Sequence, residues 1–346
     1  MALTPRENFE QTLGFDGKPD RFVNQYDFMG NSMMSLLFFP YSFDQMPPEK
    51  GAGPKVNPWG VTYEFREDQP GAFPYDDYDH LVIKDFEDWK DYVKAPSLEF
   101  PQEAWDQCIA MKANIPEDQI FGCTFVAPGL FEQLHNLGSM TEALAAFYEY
   151  EDEIHELLKY LTEWELKLAE GVIDHLHPEM MLHHDDWGSR TSTFLSPEMF
   201  EEFLLEPYKE IYGYWKERGT KYIIHHSDSY GATIVPDMIE MGVDVWQGVM
   251  SSNDIPELIK KYGDKITFMG GLDGADIEKA DWTKPWVKDQ VRKICEENGH
   301  HGFIPCITQG LPMSTYEGLY ECIGECIDEM SVELADTFEG NEAYKG

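Results

Sequence analysis

From about residue 119 onward, short apolar runs alternate with longer helical stretches. The runs are Gln119–Val126, Glu179–His183, Lys221–His225, Val243–Gly248, Lys265–Met269 and Gly302–Cys306, with Phe22–Gln25 a further candidate near the start. That alternation predicts βα units and a parallel sheet. The helices between carry their own signals. Ser196 reads as an N-cap, with Pro197 at the first helical position and Glu198 in the first turn. Phe200, Phe203, Leu204, Ile211 and Trp215 recur at helical spacing, Pro207 predicts a kink, and Gly219 predicts the end. Ser314 with Glu317 three residues on predicts the capping box of another helix. Strands and helices alternating over a chain of this length predict a (β/α)8 TIM barrel. A doubly wound open sheet competes, but no GxGxxG follows an early strand.

The first 100 residues break this rhythm. Prolines at 40, 47, 48, 54, 58, 70, 74, 96 and 101 predict loops and short helices laid over a body. The expectation is one barrel domain over residues 1–346, with an irregular N-terminal extension whose residues 29–100 form a lid. The tail from Ala335 is polar and predicted to fray. There is no repeat and no low-complexity linker.

Composition narrows the partners. The chain has 346 residues, 42% hydrophobic and 14% aromatic, which is ample for a large core and excludes global disorder. Lys plus Arg is 26 and Asp plus Glu is 65, so the formal charge is 26 − 65 = −39. Such a chain repels nucleic-acid backbones and anionic membrane surfaces, so neither is an expected partner. The plain reading of the charge is solubility, in a saline habitat for instance. No segment reaches the roughly 20 apolar residues of a spanning helix. Met1–Glu10 carries Arg6, Glu7 and Glu10 with no apolar core, so no secretory signal is visible and the cytoplasm is the expected location. The six cysteines form no CxxC pair and are expected to be reduced.

Four of the apolar runs end in residues capable of chemistry. Leu182 leads into His183-His184-Asp185-Asp186-Trp187-Gly188, and Ile224 into His225-His226-Ser227-Asp228. Met269 leads into Gly270-Gly271-Leu272-Asp273, and Ile304 into Pro305-Cys306-Ile307-Thr308. In a barrel, strand C-termini converge on one mouth, where catalysis takes place. Each residue also has a plainer structural reading. Successive histidines alternate across a strand, so at most one of His183 and His184 faces inward, and likewise for His225 and His226. A single Cys is commonly a small buried apolar residue, Asp185 and Asp186 can cap a helix, and aromatics can be core. Taken together, His226, Asp228 and Cys306 offer nitrogen, oxygen and sulfur. Three protein ligands with an open position suit a catalytic zinc, whereas calcium and magnesium prefer oxygen alone. His300-His301 precedes a strand and belongs at the opposite rim.

These residues also carry a resemblance. The segments TPRENFEQTLGFDGKPDRFVN, HHDDWGSRTSTFLSPEMFEEFLLEPYKEI, IIHHSDSYG and FMGGLDG resemble the uroporphyrinogen decarboxylase superfamily, whose fold is a (β/α)8 barrel with its cleft at the C-terminal mouth. Porphyrinogen decarboxylases follow their early strand with an arginine-bearing segment. Here that stretch is Asn24-Gln25-Tyr26-Asp27-Phe28-Met29-Gly30, without a cation, and the whole chain has six arginines. The segment NPWGVTYEFREDQPGAFPYDDYDHLVIKDFEDWKDYVKAP more closely resembles the corrinoid-dependent methyltransferases of anaerobic O-demethylation. The resemblance implies transfer of a methyl group from a methoxylated aromatic to the cobalt(I) of a separate corrinoid (cobalamin) protein. Related methyltransferases hold zinc through an H-x-C pair and a later Cys. His226-Ser227-Asp228 stands at the pair, with Asp replacing Cys, and Cys306 matches the later one. The alignment of His225-His226-Ser227 can slide by one.

The implied metal ligands are therefore His226, Asp228 and Cys306. Asp186, with His184 beside it, is the expected general acid, and Tyr26, Phe28 and Trp187 are expected to sandwich the ring. Two alternatives stay open: a decarboxylase of a porphyrinogen-like or other small carboxylate, and a barrel that only binds a corrinoid or partner protein. A homodimer is left open too.

Overall fold

The structure, a computed structural model, describes residues 2–69 and 71–338. Its centre is a seven-stranded parallel sheet. The strands are β1 (Leu36–Leu37), β5 (Cys123–Val126), β6 (Met180–His184), β7 (Tyr222–His226), β8 (Val245–Val249), β9 (Thr267–Leu272) and β10 (Phe303–Ile307), paired in that order. Between β1 and β5 the chain forms a small antiparallel sheet of β2 (Lys55–Val56), β3 (Thr62–Glu64) and β4 (Phe73–Pro74). Helices flank the large sheet, the longest being Glu151–Leu176 with 26 residues. This is the α/β barrel that the alternation predicts, and each of the six regular apolar runs contains or overlaps its strand. Among the described residues no helix is long and apolar enough to cross a membrane.

Three local expectations are corrected. Phe22–Gln25 forms no ladder. Its hydrogen bonds go to the last long helix, Leu319–Glu333: Phe22 N–H donates to Ser331 Oγ at 3.1 Å, Asn24 Nδ2 to the Gly324 carbonyl at 2.9 Å, and Gln25 Nε2 to the Tyr320 carbonyl at 3.2 Å. Gln25 also takes a φ of +53°, which an extended strand cannot contain. No ladder joins β10 to β1. Near that gap Tyr26 Oη donates to the Gln309 carbonyl at 3.0 Å, and Tyr320 Oη donates to Asn31 Oδ1.

Ser314 does not start a helix. Its hydroxyl donates to the Tyr316 carbonyl at 2.8 Å, Thr315 N–H donates to the Glu278 carboxylate at 3.0 Å, and the helix begins at Leu319 after Gly318 at φ +77°. Tertiary contact with Glu278 holds the residues before it as a loop.

Ser196 does cap its helix, accepting from Met199 N–H at 3.2 Å. Pro207 is accommodated by widening rather than by a simple kink. Pro197–Phe200 is α-helical, Glu201–Leu205 is a π-helical turn, and Glu206–Glu217 returns to α. The widened turn covers Phe203, the carbonyl that a proline at i+4 cannot serve. Gly219 then ends the element at φ +112°. In the tail, Ala335–Thr337 forms a 3-10 turn and Phe338 is buried against Phe22 and His300. Residues 339–346 lie outside the described residues.

Candidate metal centre at the barrel mouth

The register of the sheet brings His184, His226 and Gln247 side by side: His184 pairs with His226, and His226 with Gln247. Period-two alternation then divides the histidines. His183 and His225 turn outward toward the helices. His183 Nε2 meets Glu165 Oε1 at 3.1 Å, and Tyr212 Oη bridges His183 Nδ1 at 2.9 Å and His225 Nδ1 at 2.7 Å. His184 and His226 turn to the mouth, with ring centroids 4.3 Å apart. The side-chain donors of His184, Asp186 and His226 lie within 4.8 Å of one another, which is a group able to hold a metal ion.

The partners of these rings fix which nitrogen is free. Gln247 Nε2 donates to the carbonyls of Ile307 at 3.2 Å and Gln309 at 3.1 Å. Its Oε1 must therefore accept, and the donor is His226 Nδ1–H. That leaves His226 Nε2 as a lone pair facing Asp186 Oδ1 at 3.8 Å. Two acceptors that face each other are stabilised by a cation between them. Burial, together with His184, lowers the His226 imidazole to about 4, so the ring is neutral and ready to ligate.

His184 is held by a route the sequence does not display. Asp185, fully buried, accepts from Phe131 N–H at 3.0 Å and Glu132 N–H at 2.7 Å, while Tyr208 Oη accepts from Leu130 N–H at 2.9 Å and donates to Asp185. Asp185 thus caps the helix Leu130–Gly138 from a neighbouring βα unit, since Gly129 at its start has no side chain to do so. The helix so placed sends Glu132 Oε2 to His184 Nδ1 at 2.8 Å. Burial raises the Glu132 carboxyl to about 7 against the pull of His184. Burial alone would lower His184, but Glu132 and Asp186 overcome it and raise the imidazole to about 10. His184 in the ion-free protein therefore carries a proton that a metal would replace. A carboxylate on one histidine and an amide oxygen on the other orient a pair of ligands. Gly310 closes the roof: a Cβ there would stand 3.0 Å from the His226 ring.

The other expected site residues lie around this group in different ways. Asp228 is at the mouth, and its N–H donates to Asp186 Oδ1 at 3.0 Å. Burial, then Asp186, raises its carboxyl to about 8. Cys306 is fully buried beside Gln247, a neutral thiol that burial pushes well up. Among the described residues, neither Asp228 nor Cys306 falls within the His184–Asp186–His226 group. Tyr26 is buried with its hydroxyl on the Gln309 carbonyl. Phe28 stacks on Phe9 at 4.3 Å, and Phe9 packs on Tyr222, the first residue of β7, so Phe28 sits at the far end of the barrel from His226. Trp187 stacks on His225 at 3.6 Å and donates from Nε1 to Asp185 at 2.9 Å, on the helix side of the sheet.

Sequence reasoning missed Glu132, Gln247 and His135. A glutamine inside the apolar run Val243–Gly248 was one available signal. Glu132 and His135, three apart on one amphipathic helix, were another. Burial lowers His135 to about 4, while the charge of Asp186 pulls the other way.

Fold and mouth together define an α/β barrel with a group of three donors, able to hold a metal ion, at the C-terminal ends of its strands. The chain belongs to the uroporphyrinogen decarboxylase (URO-D) family, whose model matches residues 126–329. Among solved structures it is similar to a methyltransferase from Methanosarcina mazei, with a TM-score of 0.60 and 13% identity over 95% of this chain and 99% of that one. At that identity the likeness speaks for the fold. No curated protein matches the chain.

Proposed function

We propose that this protein is a zinc-assisted methyltransferase that takes the methyl group of an aromatic methyl ether and passes it to the cobalt(I) of a separate corrinoid protein. The observation that carries the reading is the pair of facing acceptors at the mouth, His226 Nε2 and Asp186 Oδ1, with His184 beside them. Three protein donors and an open position are the donor set of a catalytic zinc. The fold likeness to a methyltransferase supports the same direction.

His184, Asp186 and His226 would hold the ion, which when bound supplies Lewis acidity at the ether oxygen. The chain's own residues do the rest. Glu132 and Gln247 keep the two imidazoles turned so that each presents Nε2. Asp228, not one of these three donors and raised to about 8 by burial and Asp186, would protonate the departing phenolate at its oxygen. The loop carrying Gly310 covers one side of His226. The other side of the mouth must admit the carrier, because the methyl carbon and cobalt have to come almost into contact.

A porphyrinogen decarboxylase is disfavoured by the same mouth. Binding a polycarboxylate needs arginines in the cleft. Arg21, the arginine nearest in sequence to the early segment, is paired with Asp20 at 2.5 Å. Zinc analysis of the purified protein, combined with a methyl-transfer assay from methoxyarenes to cob(I)alamin, tests the reading. About one zinc per chain and methylcobalamin formation are expected. Decarboxylation of uroporphyrinogen with no methyl transfer would overturn it.

A further inference from the structure

Between the early segment and the barrel wall lies a cavity of about 20 Å3, which none of His184, Asp186 and His226 lines. Tyr41 and Trp59 bound it from the early segment, residues 126–130 from the turn after β5, Gln133 from the helix Leu130–Gly138, and Trp164 and Glu165 from the helix Glu151–Leu176. Trp164 packs edge-on against Tyr41 at 5.0 Å and against Trp59 at 4.9 Å, so the three elements meet here. Tyr41, Gln133 and Glu165 are each more than nine-tenths buried. Tyr41 Oη and Gln133 Nε2 have no hydrogen-bond partner among the described residues. Glu165 turns Oε1 toward His183 Nε2 at 3.1 Å and keeps a second carboxyl oxygen. Burial outweighs the pull of Trp59 and holds the Tyr41 phenol neutral, so its hydroxyl can both donate and accept.

The mixed donor and acceptor set decides what can occupy the cavity. A cation would face the Gln133 N–H, and an anion would face the oxygens of Glu165. Water serves a donor and an acceptor at once, and a buried water typically makes about three hydrogen bonds. One water takes up roughly 10–15 Å3 of such a space, which leaves no room for an organic ligand. We infer that one ordered water binds here, accepting from Gln133 Nε2 and donating to Glu165, with Tyr41 Oη as its third partner, and that it clasps the early segment to the helix Leu130–Gly138. That helix carries Glu132, the residue directly before Gln133, which stands 2.8 Å from His184. The clasp therefore fixes the early segment beside the group that orients a histidine of the mouth. This inference stands whether or not the substrate is a methyl ether.

A high-resolution crystal structure of the full-length protein tests the occupant. A single peak within about 2.7–3.2 Å of Gln133 Nε2, Tyr41 Oη and a Glu165 oxygen is expected. A cavity without density, or direct bonds among the three side chains, overturns the inference. So does anomalous signal at this position after a thallium(I) soak, which marks a monovalent cation. Limited proteolysis under native conditions tests the clasp. Tyr41→Phe and Gln133→Met each remove one partner of the water and keep the bulk of the side chain. Cleavage within residues 45–59 is expected to rise about 5- to 10-fold in each, the equilibrium weight of one net hydrogen bond. Both variants break the same bridge, so the double variant should fall well short of the product of the two effects. Unchanged cleavage, or a double variant that equals that product, would show that no shared water joins the segment to the helix.

Discussion

Asp228 and Cys306 offer a metal oxygen and sulfur, yet among the described residues neither joins the group of His184, Asp186 and His226. Cys306 is fully buried beside Gln247, its thiol held neutral by burial. Cys306→Ser is therefore expected to keep its zinc, while His184→Ala loses it, as read by elemental analysis of the folded variants. Glu132→Gln keeps the shape but removes the charge that supports His184, and a 10- to 100-fold loss of zinc affinity is expected of such a partner. An unchanged affinity would show that Glu132 does not orient the ligand. Away from the mouth, Asp27 has a buried Oδ1 without a hydrogen-bond partner, and burial raises its carboxyl to about 7 against the pull of Arg21. An unfolded Asp titrates near 3.9, so between about pH 4 and 7 the native state binds more protons than the unfolded one. Stability from this group is present below about pH 4 and is lost as pH rises toward 7. Asp27→Asn removes that loss. Its melting temperature relative to wild type should climb from pH 5 to pH 8, by the equivalent of about 2–4 kcal/mol. A difference that does not change with pH would refute the assignment.

At the scale of elements, one helix end decides the site. The helix Leu130–Gly138 starts at Gly129 and is capped from outside by Asp185 and Tyr208. The backbone must pass close to make those bonds. A Cβ on Gly129 would stand 2.5 Å from the Asp185 Cβ and 2.8 Å from the Tyr208 hydroxyl. Gly129→Ala is expected to cost about 1–3 kcal/mol through overpacking. It should also weaken zinc binding, because Glu132 rides on the displaced helix. Denaturant unfolding and zinc titration of one variant check both; lost stability with full zinc affinity would uncouple cap from site. A related constraint explains the Gly270-Gly271 pair. Gly270 approaches the Val249 carbonyl so closely that a Cβ would come within 2.5 Å, at the irregular register between β8 and β9.

Over the whole molecule, the −39 charge sets two opposing salt effects. Screening relieves general repulsion, while it weakens surface ion pairs such as Lys284 with Glu325 and Arg292 with Glu333. Exposed pairs contribute about 0–1 kcal/mol each, so relief of repulsion should win. The melting temperature is expected to rise from about 0.01 M to about 1 M salt, as the screening length falls from roughly 30 to 3 Å. A falling melting temperature would mean that the ion-pair ladders outweigh the net charge.

Periodicity determined the alternating βα units and the parallel sheet, because strands buried within an α/β layer must be apolar and the helices between them must show their caps, while the family resemblance added the closed barrel. It also located the mouth, since polar residues end four of those runs. Which histidine faced inward, and which acids joined it, waited on the tertiary structure. Sheet register places His184 beside His226, and a helix earlier in the chain delivers Glu132, 52 residues before His184, by being capped from outside by Asp185. Such partners are distant in sequence and share no local pattern, so only the packed fold could bring them together. The early segment shows the same limit from the other side: Phe22–Gln25 has the composition of a strand, but its hydrogen bonds go to side chains and carbonyls of the helix Leu319–Glu333.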